Sequence, residues 1–230
     1  MRRVLAILAA GSATRTGVDK VLADLGGQPV LAWSLAAGIA ANCFDDIVVV
    51  APHTDLVALK TLVSRRAPAA RIVLGGATRT ASSWAALDAA AGADVIAIHD
   101  AARPFVPPSL FAECVRIAAV EGSAVAGLPL ADTVRRADEA GAATEEVSRE
   151  GLWSAQTPQA FRVELLARAR EAAGDRSFSD DAAAVVAAGI RPKMILGERR
   201  NLKITTFEDL AYARELVAKG LAGFPALQVG

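Results

Sequence analysis

The 230 residues suit one α/β domain, or one domain with a small appendage, and an apolar fraction of 53%, much of it alanine, supplies a sizeable core without crosslinks. Lys and Arg total 25 against 25 Asp and Glu, so no whole-protein field attracts nucleic acid or an acidic membrane surface. Cys43 and Cys114 are too few for a disulfide framework and lack metal-ligand spacing; both lie in apolar helical patterns that read as buried.

The first predicted element is an apolar strand over residues 4–8. Arg2 and Arg3 ahead of it imitate an export signal, but seven apolar residues from Val4 to Ala10 sit at the bottom of the signal range, and Arg15 and Lys20 follow closely. No later stretch approaches the ~18 continuous apolar residues of a membrane span. A cytoplasmic chain with no membrane or nucleic-acid partner is expected. A helix over 29–41 opens on Pro29. Further strands follow at 47–51, 72–74, 95–99 and 124–128, separated by helices at 54–65, 79–91 and 107–120. Continuous apolar runs, rather than alternating ones, mark strands covered on both faces, as in parallel sheets. Residues 131–150 break this alternation with a polar, charged segment that reads as a hairpin projecting from the domain. An isolated hairpin is marginal in water, so this arm is expected to pack on a second subunit, with a plain surface loop as the alternative. Helices at 163–173, 179–188 and 207–219 and a strand at 193–196 complete the chain. The order predicts an α/β fold with a doubly wound, mostly parallel sheet and right-handed crossovers, as one domain over 1–230 carrying the arm.

In such sheets ligands bind beyond the carboxyl ends of the strands, so the residues after each strand carry the chemistry. After the first comes AAGSATRTGVDK, in which small residues leave backbone N–H groups approachable and Arg15 and Lys20 offer charged donors to an anion. This is neither a GxxxxGK[ST] loop nor a GxGxxG fingerprint, which argues against a P-loop enzyme or a dehydrogenase. After the third strand, Gly75 and Gly76 can bring backbone against a base or ribose, with Ser82 in the first turns of the next helix. A strand-to-helix turn capped by Thr78 or Thr80 fits the same residues. After the fourth, Asp100 can hold Mg²⁺ while Arg103 holds phosphate, with an internal Asp100–Arg103 pair as the alternative, and His99 reads as packed at the strand end rather than as a base.

The set AAG-x-x-x-R, Lys20, GG-x-x-R-x-x-S, HDAARP, DT-V-x-R, R-x-G-L-W-x-A-x-TPQ-x-F and N-x-K-I-T, running in order from Val4 to about Leu216, resembles the 2-C-methyl-D-erythritol 4-phosphate cytidylyltransferases. The resemblance implies a nucleotide-diphospho-sugar transferase-like fold. It implies transfer of CMP from CTP to the polyol phosphate, with Mg²⁺ or another divalent cation as cofactor. It also implies a homodimer joined through the arm. By position, Ala9, Ala10, Gly11, Gly76, Ser82 and Asp100 would form the CTP site. Arg15, Lys20 and Lys203 would be catalytic, and Asp100 would ligate the metal. Arg103, Thr133, Arg149, Thr157 and Ser179 would bind the polyol phosphate, with Thr133 and Arg149 reaching the neighbouring subunit's substrate. The chain departs from the family pattern at Ala13, Asp19, Val21, Ala77 and Ser179. A fused cyclodiphosphate synthase domain, carried by some relatives, is not expected. Three rival readings are a cytidylyltransferase for ribitol 5-phosphate, a nucleotide-binding regulator without catalysis, and a structural protein that dimerises through the arm.

Overall fold

The computed structural model describes residues 1–10 and 20–222. In chain order the elements are β1 (Arg3–Leu8), α1 (Val30–Ala40), β2 (Asp46–Ala51), α2 (Leu56–Arg66), β3 (Arg71–Leu74), α3 (Arg79–Ala89), β4 (Val95–Asp100) and α4 (Pro108–Glu121). They continue with β5 (Ser123–Pro129), β6 (Val134–Ala137), β7 (Ala143–Val147), β8 (Trp153–Arg162), α5 (Val163–Ala173), α6 (Asp181–Ala187), β9 (Lys193–Leu196) and α7 (Phe207–Ala218). A seven-stranded sheet has the order β3-β2-β1-β4-β8-β5-β9, and β6-β7 form a separate two-stranded sheet. The α/β, mostly parallel architecture expected from the apolar runs is therefore present.

Those runs are continuous because the sheet is covered twice. Leu5, Ile7, Val49, Val95 and Ala97 belong to one buried layer with Leu31, Leu35, Leu59 and Phe111 of α1, α2 and α4. Their neighbours Val4, Ala6, Val48, Ile96 and Ile98 belong to the opposite layer with Leu87, Leu166 and Val185 of α3, α5 and α6. Successive strand residues point to opposite faces, so both sets must be apolar. A third cluster, with Trp33, Phe105, Ile204 and Leu210, packs α7 and the segment before it against α1 and the loop after β4. Cys114 is buried and Cys43 half-buried; burial pushes both thiols up, and Cys114 donates to the Pro158 carbonyl at 3.4 Å.

One strand was not expected. β8 runs antiparallel between β4 and β5, pairing Ile98 with Gln159 on one side and Val125 with Gln159 on the other. Its sequence, WSAQTPQAFR, begins exposed and carries Pro158 in its interior, a residue that removes a ladder donor and argues against a central strand. The sheet accommodates it with a register shift between Val125 and Gly127, opposite the stretch from Ala155 to Gln159. This irregularity falls where Gln156 turns its side chain to the loop after β9 and Thr157 turns its own to the end of β4.

The segment 131–150 forms the expected hairpin. Val134 pairs with Val147, and Arg135 and Arg136 face Glu146 and Glu145. The Asp138 carboxylate receives the backbone N–H groups of Ala140 and Ala142 at the turn, and Gly141 takes φ +82°. Both ion pairs across the hairpin are exposed, at 3.4 Å and 2.5 Å, and exposed pairs of this kind add less than about 1 kcal/mol each.

Candidate active site

The parallel strands deliver three loops to one edge of the sheet. Leu8 lies in register with both Val50 and Asp100. Beyond it, the Ala9 N–H donates to the Val50 carbonyl at 2.8 Å, and the Ala101 N–H donates to the Leu8 carbonyl at 3.0 Å. Gly75 continues the edge by donating to the Ala51 carbonyl at 2.9 Å. A Cβ on Gly75 would lie 2.6 Å from the Ala10 Cβ and 2.7 Å from the Ser82 hydroxyl, so only glycine lets these pieces meet. The Gly76 N–H reaches Ser82 Oγ at 3.3 Å, and that hydroxyl donates to the Thr78 carbonyl at 3.0 Å. Ala10, Gly76 and Ser82 thus converge. Thr78, not Thr80, caps α3, by accepting from the Ala81 N–H at 3.0 Å. Thr80 instead receives the Phe178 N–H at 2.8 Å.

Asp100 ends β4 and is the electrostatic centre of this edge. Its Oδ2 lies 2.8 Å from Lys203 Nζ and 3.9 Å from Arg103 Nε, and its Oδ1 lies 3.4 Å from Arg79 Nε. Burial opposes the carboxylate charge, but Arg79, Lys203 and Arg103 outweigh it and hold the group well below the usual carboxylate range. Burial pushes Arg103 down, with Asp100 offsetting part of this and Arg79 adding to it. Three cations around one carboxylate leave a local excess of positive charge in a protein whose formal net charge is +0.

The loops bearing these charges are stitched together. The Ile204 N–H donates to the Ala102 carbonyl at 2.9 Å, and Arg103 Nη1 donates to the Asn201 carbonyl at 2.7 Å. Buried Asn201 donates through Nδ2 to the Thr157 carbonyl at 2.8 Å and to Gln156 Oε1 at 3.2 Å. Thr206 and Asp209 form a capping box on α7, and Asp209 Oδ2 also receives the Thr205 N–H at 2.8 Å, which anchors the segment carrying Lys203. Lys20 donates to the Thr205 carbonyl, which brings this lysine to the same segment.

A second chain of hydrogen bonds runs beneath Asp100. The Asp100 N–H donates to Thr157 Oγ1 at 3.0 Å, and Thr157 Oγ1 lies 3.0 Å from His99 Nδ1. His99 Nε2 lies 3.2 Å from the Arg103 carbonyl, which can only accept, so the proton is on Nε2 and the Thr157 hydroxyl donates to Nδ1. Ser34 Oγ donates to the Ala101 carbonyl at 2.9 Å. His99 is wholly buried, and burial pushes its pKa down to about 4. It is a neutral strut for the Asp100–Arg103 turn, packed at the strand end as its sequence context suggests.

Of the residues singled out in the sequence, Lys20, Asp100, Arg103, Thr157 and Lys203 are drawn into one network, with Ala9, Ala10, Gly76 and Ser82 along the same edge. Gly11 and Arg15, with Ala13 and Asp19, lie outside the described residues. Ser179 is exposed, one residue before Asp180, which caps α6. Thr133 and Arg149 sit at the base of the arm, where Arg149 donates to the Ala131 carbonyl. They border a groove of about 440 Å³ shared with Val134, Glu146, Val147 and Ser148. Within the chain, no hydrogen bond or ion pair among the described residues joins Thr133 or Arg149 to the Asp100 network. Arg79, Asp181, Gln156 and Asn201 carry much of the geometry, and the local sequence gives none of them a role. Arg79 and Asn201 were visible only as motif letters, in GG-x-x-R-x-x-S and N-x-K-I-T.

Among the described residues no three His, Cys, Asp or Glu side chains gather to enclose a metal. The donor set still fits Mg²⁺, which keeps most of its waters and takes one or two carboxylates together with substrate phosphate oxygens. Asp100 offers a carboxylate oxygen donor at the end of β4. A helix long and apolar enough to cross a membrane is absent among the described residues.

A carboxylate ringed by cations at the carboxyl edge of a mostly parallel sheet, beside a glycine-lined cradle, suits an α/β protein that binds phosphorylated ligands at that edge. The family model for IspD, 2-C-methyl-D-erythritol 4-phosphate cytidylyltransferase, matches residues 4–219, and the chain belongs to that family. It is 42% identical over 226 residues to the bifunctional enzyme IspD/IspF of Anaeromyxobacter sp. (strain Fw109-5), covering 96% of this chain and 58% of the relative. It is 41% identical to the 2-C-methyl-D-erythritol 4-phosphate cytidylyltransferase of Deinococcus radiodurans, covering 94% of this chain and 89% of that protein. The chain therefore spans little more than half of the bifunctional relative and most of the monofunctional one. The crystal structure of 2-C-methyl-D-erythritol 4-phosphate cytidylyltransferase from Thermus thermophilus superposes with a TM-score of 0.77 at 32% identity, covering 95% of this chain and 100% of that one.

Proposed function

We propose that this chain transfers CMP from CTP to 2-C-methyl-D-erythritol 4-phosphate in non-mevalonate isoprenoid biosynthesis, as a cytoplasmic homodimer. The products are pyrophosphate and 4-diphosphocytidyl-2-C-methyl-D-erythritol. The observation that carries this reading is the gathering of Arg79, Arg103 and Lys203 on Asp100, with Lys20 tied to the Lys203 segment. Family membership supplies the nucleotide and the polyol.

In this reaction a phosphate oxygen of the polyol phosphate attacks the α-phosphorus of CTP. A new P–O bond forms as the bond to the β-phosphate oxygen breaks, and the electron pair leaves with pyrophosphate. The nucleophile's second pKa is about 6, so it is anionic near neutrality and no side chain has to remove a proton. That agrees with a site whose one histidine is buried and engaged by Thr157 and Arg103. The difficulty is bringing two polyanions together, and fixed cations in a partly desolvated site oppose that repulsion better than water does.

Lys20 and Arg15 would hold the triphosphate, with Ala9, Ala10, Gly11, Gly76 and Ser82 forming the nucleoside cradle. Arg103 and Lys203 would hold the incoming phosphate, and Ser179 would border the polyol. Thr157 would act by fixing the Asp100 backbone, since its hydroxyl is buried between that N–H and His99. A divalent cation, when bound through Asp100, supplies further neutralisation of phosphate charge.

Thr133 and Arg149 would complete the partner subunit's site. The arm's isolation from its own Asp100 network and its exposed two-stranded form support this, because such a hairpin gains stability by packing on another surface. Arg149→Ala is therefore expected to raise the KM for polyol phosphate by about tenfold or more while CTP binding by calorimetry stays within about threefold. Loss of CTP affinity would remove Arg149 from the polyol side.

The reaction itself is tested by pyrophosphate release with CTP, UTP, ATP and GTP, each against methylerythritol and ribitol phosphates. Release with CTP and methylerythritol phosphate alone is expected. Preference for ribitol 5-phosphate would move the assignment to that polyol, and no release with any pair would overturn catalysis.

A further inference from the structure

Arg79 makes two ion pairs that point in different directions. It is the first residue of α3, and its Nε lies 3.4 Å from Asp100 Oδ1 while its Nη2 lies 2.8 Å from Asp181 Oδ2. Asp181 is 2% exposed and opens α6. Burying an unpaired carboxylate is costly, so this pair is fixed by the fold rather than by solvent exchange. The start of α6 is itself pinned from another side: Asp180 caps it through the Ala183 N–H at 2.8 Å and receives Gln159 Nε2 at 2.9 Å. Gln159 Oε1 in turn receives the Ala182 N–H at 2.9 Å. Asp181 therefore sits between two residues tied to Gln159 of β8, and the Arg79 guanidinium is what joins its carboxylate to Asp100.

We infer that Asp181 is a positioning residue that acts through Arg79, sharing the guanidinium so that Asp100 keeps its second oxygen turned to Lys203. Without Asp181, the strongest remaining anion near Arg79 is Asp100. The planar fork of arginine then closes on it and competes with Lys203 and with substrate for the same carboxylate. A lysine at position 79 could serve one carboxylate at a time but not hold both in a fixed plane. The inference rests on the proposed cytidylyl transfer, because it concerns how Asp100 is presented to that reaction.

The test is a double-mutant cycle in the full-length chain, with kcat, KM for CTP and unfolding midpoints measured for each variant. Asp181→Asn keeps the shape and removes the charge, and it is expected to lower kcat about tenfold with the KM for CTP within about threefold. Arg79→Ala is expected to lower kcat at least as far. The double variant should then be no slower than Arg79→Ala, since residues acting through one contact are not additive. Multiplying losses, or a kcat for Asp181→Asn equal to wild type, would overturn the relay. If Asp181→Asn does not fold, Arg79→Lys carries the test: a similar kcat loss at unchanged KM supports the relay, and wild-type kcat sinks it. A wild-type protein that releases no pyrophosphate would instead defeat the proposed function, so the two failures are distinguishable.

Discussion

Replacing Lys203 with alanine is expected to lower turnover by at least about 10²-fold, the scale seen when one preorganised donor is removed from a centre of developing charge. Lys203 is part-exposed, and its ammonium sits 2.8 Å from Asp100. Its segment is held by contacts that do not involve its side chain: the Ile204 N–H on Ala102, the Asn201 carbonyl on Arg103, and the capping box of α7. The variant should therefore fold, with Asp100 still paired to Arg79 and Arg103, while the incoming phosphate loses a point charge that water cannot replace. Lys20→Ala is expected to act on the same scale, through the triphosphate. Steady-state rates within a few-fold of wild type, in variants that melt normally, would remove these lysines from the mechanism.

How much of this was legible in the sequence depends on the range of the interaction concerned. β1, β2 and β4 could be read because each is apolar on both faces, a property of the strand itself. Thr78 and Thr80 could not be told apart as caps, because the choice is made by Phe178, which claims the Thr80 hydroxyl from 98 residues away. β8 escaped because Pro158 breaks the local rule for a central strand, and only the register shift against β5 shows how the sheet tolerates it. Within the site, Asp100 and Lys203 were visible as charges after strand-like or motif segments. Arg79 and Asp181 were not assigned roles, because their importance lies in an ion pair 102 residues apart in sequence. Thr157 stands out in the sequence only through its motif, and its hydrogen bonds to Asp100 and His99 are a property of the folded sheet.

The second large effect is on stability and lies with His99. Its folded pKa is pushed down to about 4 by burial, whereas an unfolded histidine titrates near 6.5. Between those values the unfolded chain takes up a proton that the native chain refuses, so stability falls as pH drops from about 6.5 toward about 4, by a total on the order of 3 kcal/mol. Asp100 acts lower on the scale. Its carboxyl is held below the usual range by Arg79, Lys203 and Arg103 against the cost of burial, so its contribution is intact above the unfolded value near 4 and is lost only as pH falls below it. The loss between pH 6.5 and 5 is therefore assigned to His99 and not to Asp100. His99→Gln removes the titrating ring and is expected to lower stability at pH 7, since the link between Thr157 and the Arg103 carbonyl is disturbed, yet to flatten the profile between pH 7 and 5. Denaturant unfolding at pH 7, 6 and 5 checks both statements. A variant with the wild-type slope would show that His99 takes up its proton at the same pH in the folded and unfolded chains. The fold would then do nothing to keep the ring neutral, and the strut beneath Asp100 would lose its Nδ1 acceptor once the pH fell below about 6.5.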